Sequence, residues 1–295
     1  MTIAAGAQPA IALSADEFRR LAKLVYSESG IVLPDSKKPL VISRLSKRLR
    51  TLGMQSFAQY LALVESGQGG DERGCMISSL TTNVTRFMRE EHHFQRLRTV
   101  ALPPLIERAR RGGRLRIWSA GCSTGEEPYS LAFTLLDMWP EAAKFDVKIL
   151  ATDIDPQVIA TATAGQYSEQ ALEPLPAATR QRYLRPVATR TGYYEVTDVA
   201  KGIITFKVLN LLAQWPFQGP FDIIFCRNVV IYLDAETKDV LWRRYAQLLA
   251  PGGHLFIGHS ERISASAVPY FHSEGVTSYV RTEAPVRDAQ PLHQR

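Results

Sequence analysis

The chain has 295 residues, 35 Lys plus Arg against 29 Asp plus Glu for a net charge of +6, and three cysteines without CxxC or CxxH spacing. That length allows one large domain or two smaller ones, and the cysteine usage argues against a disulfide framework or a structural zinc site, fitting reduced thiols in a cytoplasmic protein. The first thirteen residues lack a basic leader and no apolar run approaches the roughly 20 residues that span a bilayer, so neither an export signal nor membrane insertion is expected.

Ser14, followed three residues later by Glu17, has the spacing of a capping box, and Phe18, Leu21, Leu24 and Val25 continue a helix that ends near Gly30. A second helix is predicted to start with Ser43 as its cap. Its Leu45, Leu49 and Leu52 form an apolar stripe, and Arg44, Lys47 and Arg48, with Arg50 nearby, form an exposed basic ridge beside it. Phe57, Tyr60, Leu61 and Val64 mark a third helix, SGQGGDERG a turn, and Cys75, Met76, Ser79 and Leu80 a fourth. Residues 12–88 therefore read as a small all-α domain.

After Gly112 and Gly113 the pattern becomes apolar strand runs alternating with helices: RLRIWSA, DVKILATD, ITFKVLN, FDIIFCRN, HLFIGHS and VTSYVR. This alternation predicts an α/β fold, a parallel sheet with helices on both faces, over residues 89–282. Residues 166–202 break the rhythm with two short alternating runs that can pair as a hairpin, an inserted β-subdomain. The tail 283–295 is polar and unpatterned, as are the Ala-rich first dozen residues, and both are expected to be mobile.

The segment IWSAGCSTGEEPYS runs from an apolar strand through Gly121 and Gly125 into a helix with Pro128 in its first turn. Glu126 and Glu127 at the loop exit repel a phosphate and attract a cationic ligand; S-adenosylmethionine is such a ligand. In open parallel sheets ligands sit outside the carboxyl ends of the strands. Glu126 follows the first strand, Asp153 closes the second, Asn210 and Leu211 end the third, and Asn228 and Val229 end the fourth. Taken singly each is an ordinary strand-end cap; four in register point to one cofactor site, with Asp153 suited to the ribose hydroxyls.

TTNVTRFMRE, SAGCSTGEEPYS, ATDID, NLL, FCRNVVIYLD and LAPGGHLFIGHSE, in this order, resemble the chemotaxis receptor glutamate methyltransferases of the CheR type. The resemblance spans residues 12 to about 281. It implies a Rossmann-like S-adenosylmethionine-dependent methyltransferase sheet with a small N-terminal helical domain and a small inserted β-subdomain. It also implies that Asn83, Thr85 and Arg89, in the connector between the domains, join Glu126, Asp153, Asn210, Leu211, Asn228 and Val229 around S-adenosylmethionine. The implied reaction esterifies glutamates of methyl-accepting chemoreceptors and yields S-adenosylhomocysteine. Arg89 is then the residue that grips the substrate carboxylate and Tyr232 a hydrogen-bond donor at the methyl-transfer site.

The implied partner is the cytoplasmic helical domain of a chemoreceptor, whose acidic surface the ridge of Arg44, Lys47 and Arg48 would steer. The expected protein is a cytoplasmic monomer that binds no metal and no nucleic acid. Two other readings stay open on the residues alone. One is a nucleic-acid amino methyltransferase, faintly suggested by Asn228-Val229-Val230-Ile231-Tyr232 although its prolines are missing. The other is a receptor-binding adaptor without turnover. In the insert, ATRTGYYEV holds a single glycine, which favours docking independent of a receptor tail peptide.

Overall fold

The computed structural model describes residues 11–67 and 69–286. The Ala-rich start up to residue 10 and residues 287–295 of the polar tail lie outside the described residues. The chain divides into two units between Thr82 and Asn83.

The first unit holds four helices, α1 (Ala15–Ser29), α2 (Lys38–Thr51), α3 (Phe57–Glu65) and α4 (Gly70–Leu80). Ser14 and Glu17 form the reciprocal capping box, and Gly30 closes α1 in the left-handed conformation. Phe18, Leu21, Val41, Leu45, Tyr60, Leu61 and Met76 share one buried core. Two expectations are corrected here. Ser43 does not cap α2, which begins at Lys38 with Pro39 in its first turn, where a missing N–H costs nothing. Likewise, the stretch read as a turn is helical from Gly70, because Glu72 and Arg73 find tertiary partners: Tyr60 and Arg48 bond Glu72, while Arg73 donates to the Val64 carbonyl.

The first helices of the second unit run on as one stretch, α5 (Glu91–Arg96), a π turn (Leu97–Ala101) and α6 (Leu102–Arg110). There follow β1 (Leu115–Ala120), α7 (Glu126–Met138), β2 (Val147–Asp153) and α8 (Pro156–Ala164). The insert comprises β3 (Gln166–Ser168), α9 (Ala177–Tyr183), β4 (Leu184–Pro186), β5 (Tyr193–Val196) and α10 (Asp198–Lys201). The main sheet resumes with β6 (Ile204–Val208), β7 (Phe221–Cys226), α11 (Ala235–Leu248), β8 (Leu249–Ile257), β9 (Phe271–Gly275) and β10 (Ser278–Arg281).

Seven strands form the main sheet in the order β6-β2-β1-β7-β8-β10-β9. The first five are mutually parallel, whereas β10 pairs antiparallel with β8 and with β9. Alternate residues serve opposite faces: Ile117, Ile149, Ile223 and Phe225 pack with Phe133 and Leu135 of α7, while Trp118, Ile224 and Cys226 pack with Leu241, Trp242 and Tyr245 of α11. The order reverses at β1, with β2 to one side and β7 to the other, which opens a crevice at their carboxyl ends. In the insert β4 and β5 pair as a hairpin and β3 adds a third antiparallel strand.

Segment 83–88, read from sequence as the end of the helical domain, belongs to this second unit. Phe87 packs edge-on against Tyr167, and the Met88 amide donates to Ser130 Oγ. Among the described residues no helix is long and apolar enough to cross a membrane.

Candidate active site at the strand ends

At the exit of β1, Gly121 takes a φ of +92°, and a Cβ there would overlap the Val229 side chain, so glycine lets this turn touch the end of β7. Gly125, at φ +100°, precedes α7; a Cβ there would lie 2.7 Å from the Tyr167 hydroxyl. The turn thus brings the first residue of α7, Glu126, into a confined position, 8 % exposed. Its carboxylate accepts a 2.7 Å hydrogen bond from Thr124 Oγ1, and no Lys or Arg among the described residues pairs with it. Burial raises its pKa.

Asp153 closes β2 and lies next to this turn. Its Oδ2 accepts the Ser123 amide at 2.8 Å and its Oδ1 the Asp155 amide at 3.1 Å; burial raises its pKa against the pull of those N–H bonds. Asp155 caps α8 through the Gln157 amide and accepts Asn83 Nδ2 at 2.9 Å, while Ser123 Oγ donates to the Asn83 carbonyl at 2.9 Å. These bonds fix Asn83 beside Asp153. Arg89 folds back onto the same segment, donating to the Val84 carbonyl at 3.0 Å, and half-buried Thr85 lies between the two.

The third strand end is fastened to the second by the Leu209 amide, which donates to the Asp153 carbonyl at 2.8 Å. Asn210 Oδ1 then accepts the Leu212 amide, and the Leu211 carbonyl accepts both Trp215 Nε1 and Arg244 Nη1. At the fourth, Asn228 stands at φ +60°, a left-handed conformation that Asn tolerates better than most residues. Its Oδ1 is a buried acceptor without a partner. Tyr232, 37 % exposed, ends the short turn Val230–Tyr232 that follows. A buried acid awaiting a cation, an unmatched amide oxygen and a glycine cradle fit a cationic adenosyl cofactor.

Arg44, Lys47 and Arg48 lie on α2 in the other unit, and the exposed ridge expected of them needs correction. Arg48 grips Glu72 with both ends of its fork, at 2.8 and 2.5 Å, and Tyr60 donates to the same carboxylate. Burial opposes ionisation of Glu72, but these bonds win and hold it below the usual carboxylate range. Arg44 donates to the Leu80 and Thr81 carbonyls at the end of α4. Lys47 alone of the three is exposed.

Several neighbours of the site escaped the sequence pattern. Arg227, 6 % exposed, bridges Glu127 at 3.3 Å and Glu90 at 3.5 Å and donates to the Arg89 carbonyl. Glu127, which the sequence sets beside Glu126 at the loop exit, is thus an internal counter-ion to Arg227 that also accepts Ser119 Oγ. Glu90, His92 and His93 approach each other closely enough to suggest a metal. The charge is already met there: Arg227 sits beside Glu90, and burial lowers the His93 pKa to about 3. His93 is therefore neutral, with Nε2 against Thr277 Oγ1 and Nδ1 facing Glu90 at 3.5 Å. Cys122 and Cys226 are buried thiols whose pKa burial pushes well up, which makes them poor nucleophiles.

A doubly wound sheet with acids and amides at four successive strand ends around a glycine turn defines a Rossmann-like, S-adenosylmethionine-dependent methyltransferase. Residues 83–280 match the family model described as CheR methyltransferase, SAM binding domain, and residues 16–81 match CheR methyltransferase, all-alpha domain. The chain belongs to the CheR methyltransferase family. It is 52% identical to a probable chemotaxis protein methyltransferase of Rhizobium etli, over 87% of this chain and 96% of that protein. It is 46% identical to the chemotaxis protein methyltransferase of Escherichia coli, over 86% and 87% of the two chains. It is also 41% identical to chemotaxis protein methyltransferase 2 of Pseudomonas aeruginosa, over 90% and 92%.

Proposed function

We propose that this protein esterifies glutamate side chains of chemoreceptors, using S-adenosylmethionine, and so sets receptor methylation in sensory adaptation. When bound, the cofactor supplies a methyl group on a sulfonium sulfur. Glu126 holds its ammonium end and Asp153 its ribose hydroxyls, with Asn83, Thr85, Asn210, Leu211, Asn228 and Val229 completing the enclosure. The observation that carries this reading is the buried Glu126 carboxylate, set at the head of α7 without a cation partner among the described residues. Burying an acid this way is costly unless a cationic ligand repays it.

A glutamate with an ordinary pKa of about 4.3 is already ionised at neutral pH, so transfer needs no strong base, only alignment and electrostatic hold. Arg89 supplies the hold through its two-pronged guanidinium, and Tyr232 a hydroxyl at the mouth of the site. The products are the glutamyl methyl ester and S-adenosylhomocysteine. The protein acts as a cytoplasmic monomer. It meets the helical signalling domain of the receptor through the helical unit, where Lys47 and Arg44 supply positive charge. Incubation with labelled S-adenosylmethionine and receptor signalling fragments should give base-labile label on the receptor, and Arg89→Ala should abolish it. Undiminished transfer by that variant would refute the role of Arg89.

A further inference from the structure

Glu261 stands just after β8 and plays no part in the scheme above. It is 3 % exposed, and no Lys or Arg among the described residues pairs with it. Its charge is met entirely by backbone. Oε2 accepts the Gly258 amide at 2.6 Å and the Asn228 amide at 3.1 Å, and Oε1 accepts the Val230 amide at 3.1 Å. The backbone of Ile231 bonds the same carboxylate. Three of these four residues lie within the Asn228–Tyr232 turn, so one side chain spans most of it.

Asn228 needs such a clamp, because it holds a left-handed φ of +60° while its Oδ1 stays buried and unmatched. A free loop would relax to an extended conformation and hydrate that oxygen. Gly258 completes the socket: a Cβ there would lie 2.6 Å from Asn228 Nδ2, 2.8 Å from Asn228 N and 2.9 Å from Glu261 Oε2. Burial raises the Glu261 pKa while the N–H bonds from Gly258, Asn228, Val230 and Ile231 pull it down, so the same groups that need the clamp favour its charged form.

We infer that Glu261 is a positioning residue that sets the Asn228–Tyr232 turn in its cofactor-binding shape, with Gly258 as the gap that admits the Asn228 side chain. This deepens the S-adenosylmethionine reading and rests on it. Glu261→Gln keeps the shape but turns an amide group toward backbone donors, which unseats part of the turn.

The test is calorimetric titration with S-adenosylhomocysteine alongside thermal unfolding, for the wild type, Glu261→Gln, Gly258→Ala and Asp222→Asn. Asp222 is the control, a buried carboxylate at the start of β7 that accepts the Arg116 amide and pairs with Arg108. Glu261→Gln should raise the dissociation constant about tenfold or more, the effect of losing a charged hydrogen bond, and Gly258→Ala should raise it likewise because its Cβ would press on Asn228 and the Glu261 carboxylate. Asp222→Asn should lower the melting temperature and leave the affinity unchanged. If Glu261→Gln does not fold, Gly258→Ala decides. Folded variants that bind the ligand like the wild type overturn the inference, and so does an equal loss of affinity in Asp222→Asn. A wild type that binds no S-adenosylhomocysteine would instead overturn the cofactor reading beneath it.

Discussion

Removal of Arg227 should be the most damaging single change in the methyltransferase unit. Its side chain is 2 % exposed, lies 3.3 Å from Glu127 and 3.5 Å from Glu90, and donates to the Arg89 carbonyl. Arg227→Met keeps the volume but strands Glu127 inside the protein. Breaking a buried pair from one side costs about 3–5 kcal/mol, and for a unit of this size that corresponds to about 10 °C in melting temperature. The pH dependence carries a definite sign. Burial already raises the folded-state pKa of Glu127, and Arg227 is the chief group pulling it back. Without Arg227 the folded protein binds that proton still more tightly than the unfolded chain. The stability is then fully present below the ordinary carboxylate pKa and is lost as pH rises through the elevated folded value. Melting curves at pH 5 and pH 8 should show a small deficit at the lower pH and the full one at the higher. Arg227→Met with Glu127→Gln should recover most of it. An equal deficit at both pH values, or no rescue by the double variant, would refute the reasoning.

Cofactor binding should release a proton, because the bound ammonium lowers the raised pKa of Glu126; affinity therefore rises with pH through the window between the bound and free values. Titrations at pH 6 in buffers of different ionisation enthalpy check this, and Glu126→Gln should abolish the release while weakening binding about tenfold or more. In the helical unit, Arg48→Ala should cost about 2 kcal/mol by leaving the Glu72 carboxylate with the Tyr60 hydroxyl in place of three donors, read as a lower melting temperature. Lys47→Glu should leave melting unchanged, slow receptor methylation and reduce its salt sensitivity; kinetics indistinguishable from the wild type would remove α2 from the docking surface.

The parts of the fold that depend on local rules were readable from the chain. Strands β1, β2 and β7 are mostly apolar and mostly buried because helices cover both their faces, and Gly121 and Gly125 mark a turn that only glycine fits. What tertiary contact decides was hidden. Helical spacing puts Arg44, Lys47 and Arg48 on neighbouring faces of α2, but only the packing of α4 shows that Glu72 and the Leu80 carbonyl claim two of them. Glu261 meets Asn228 across 33 residues and Arg227 meets Glu127 across 100, separations at which sequence carries no pairing signal. The final run VTSYVR, now β10, looked like a further parallel member, and β9 carries no strand pattern in the sequence. β10 pairs antiparallel with β9 because a tight turn joins the two, leaving no room for a crossover helix.

Mass-spectrometric mapping of a receptor signalling fragment after incubation with the protein and S-adenosylmethionine tests the central claim most directly. The structure predicts methyl esters confined to glutamate side chains, formed by the wild type and absent with Arg89→Ala. Methylation of other residue types, or a protein that binds the cofactor yet leaves every receptor glutamate unmodified, would contradict it.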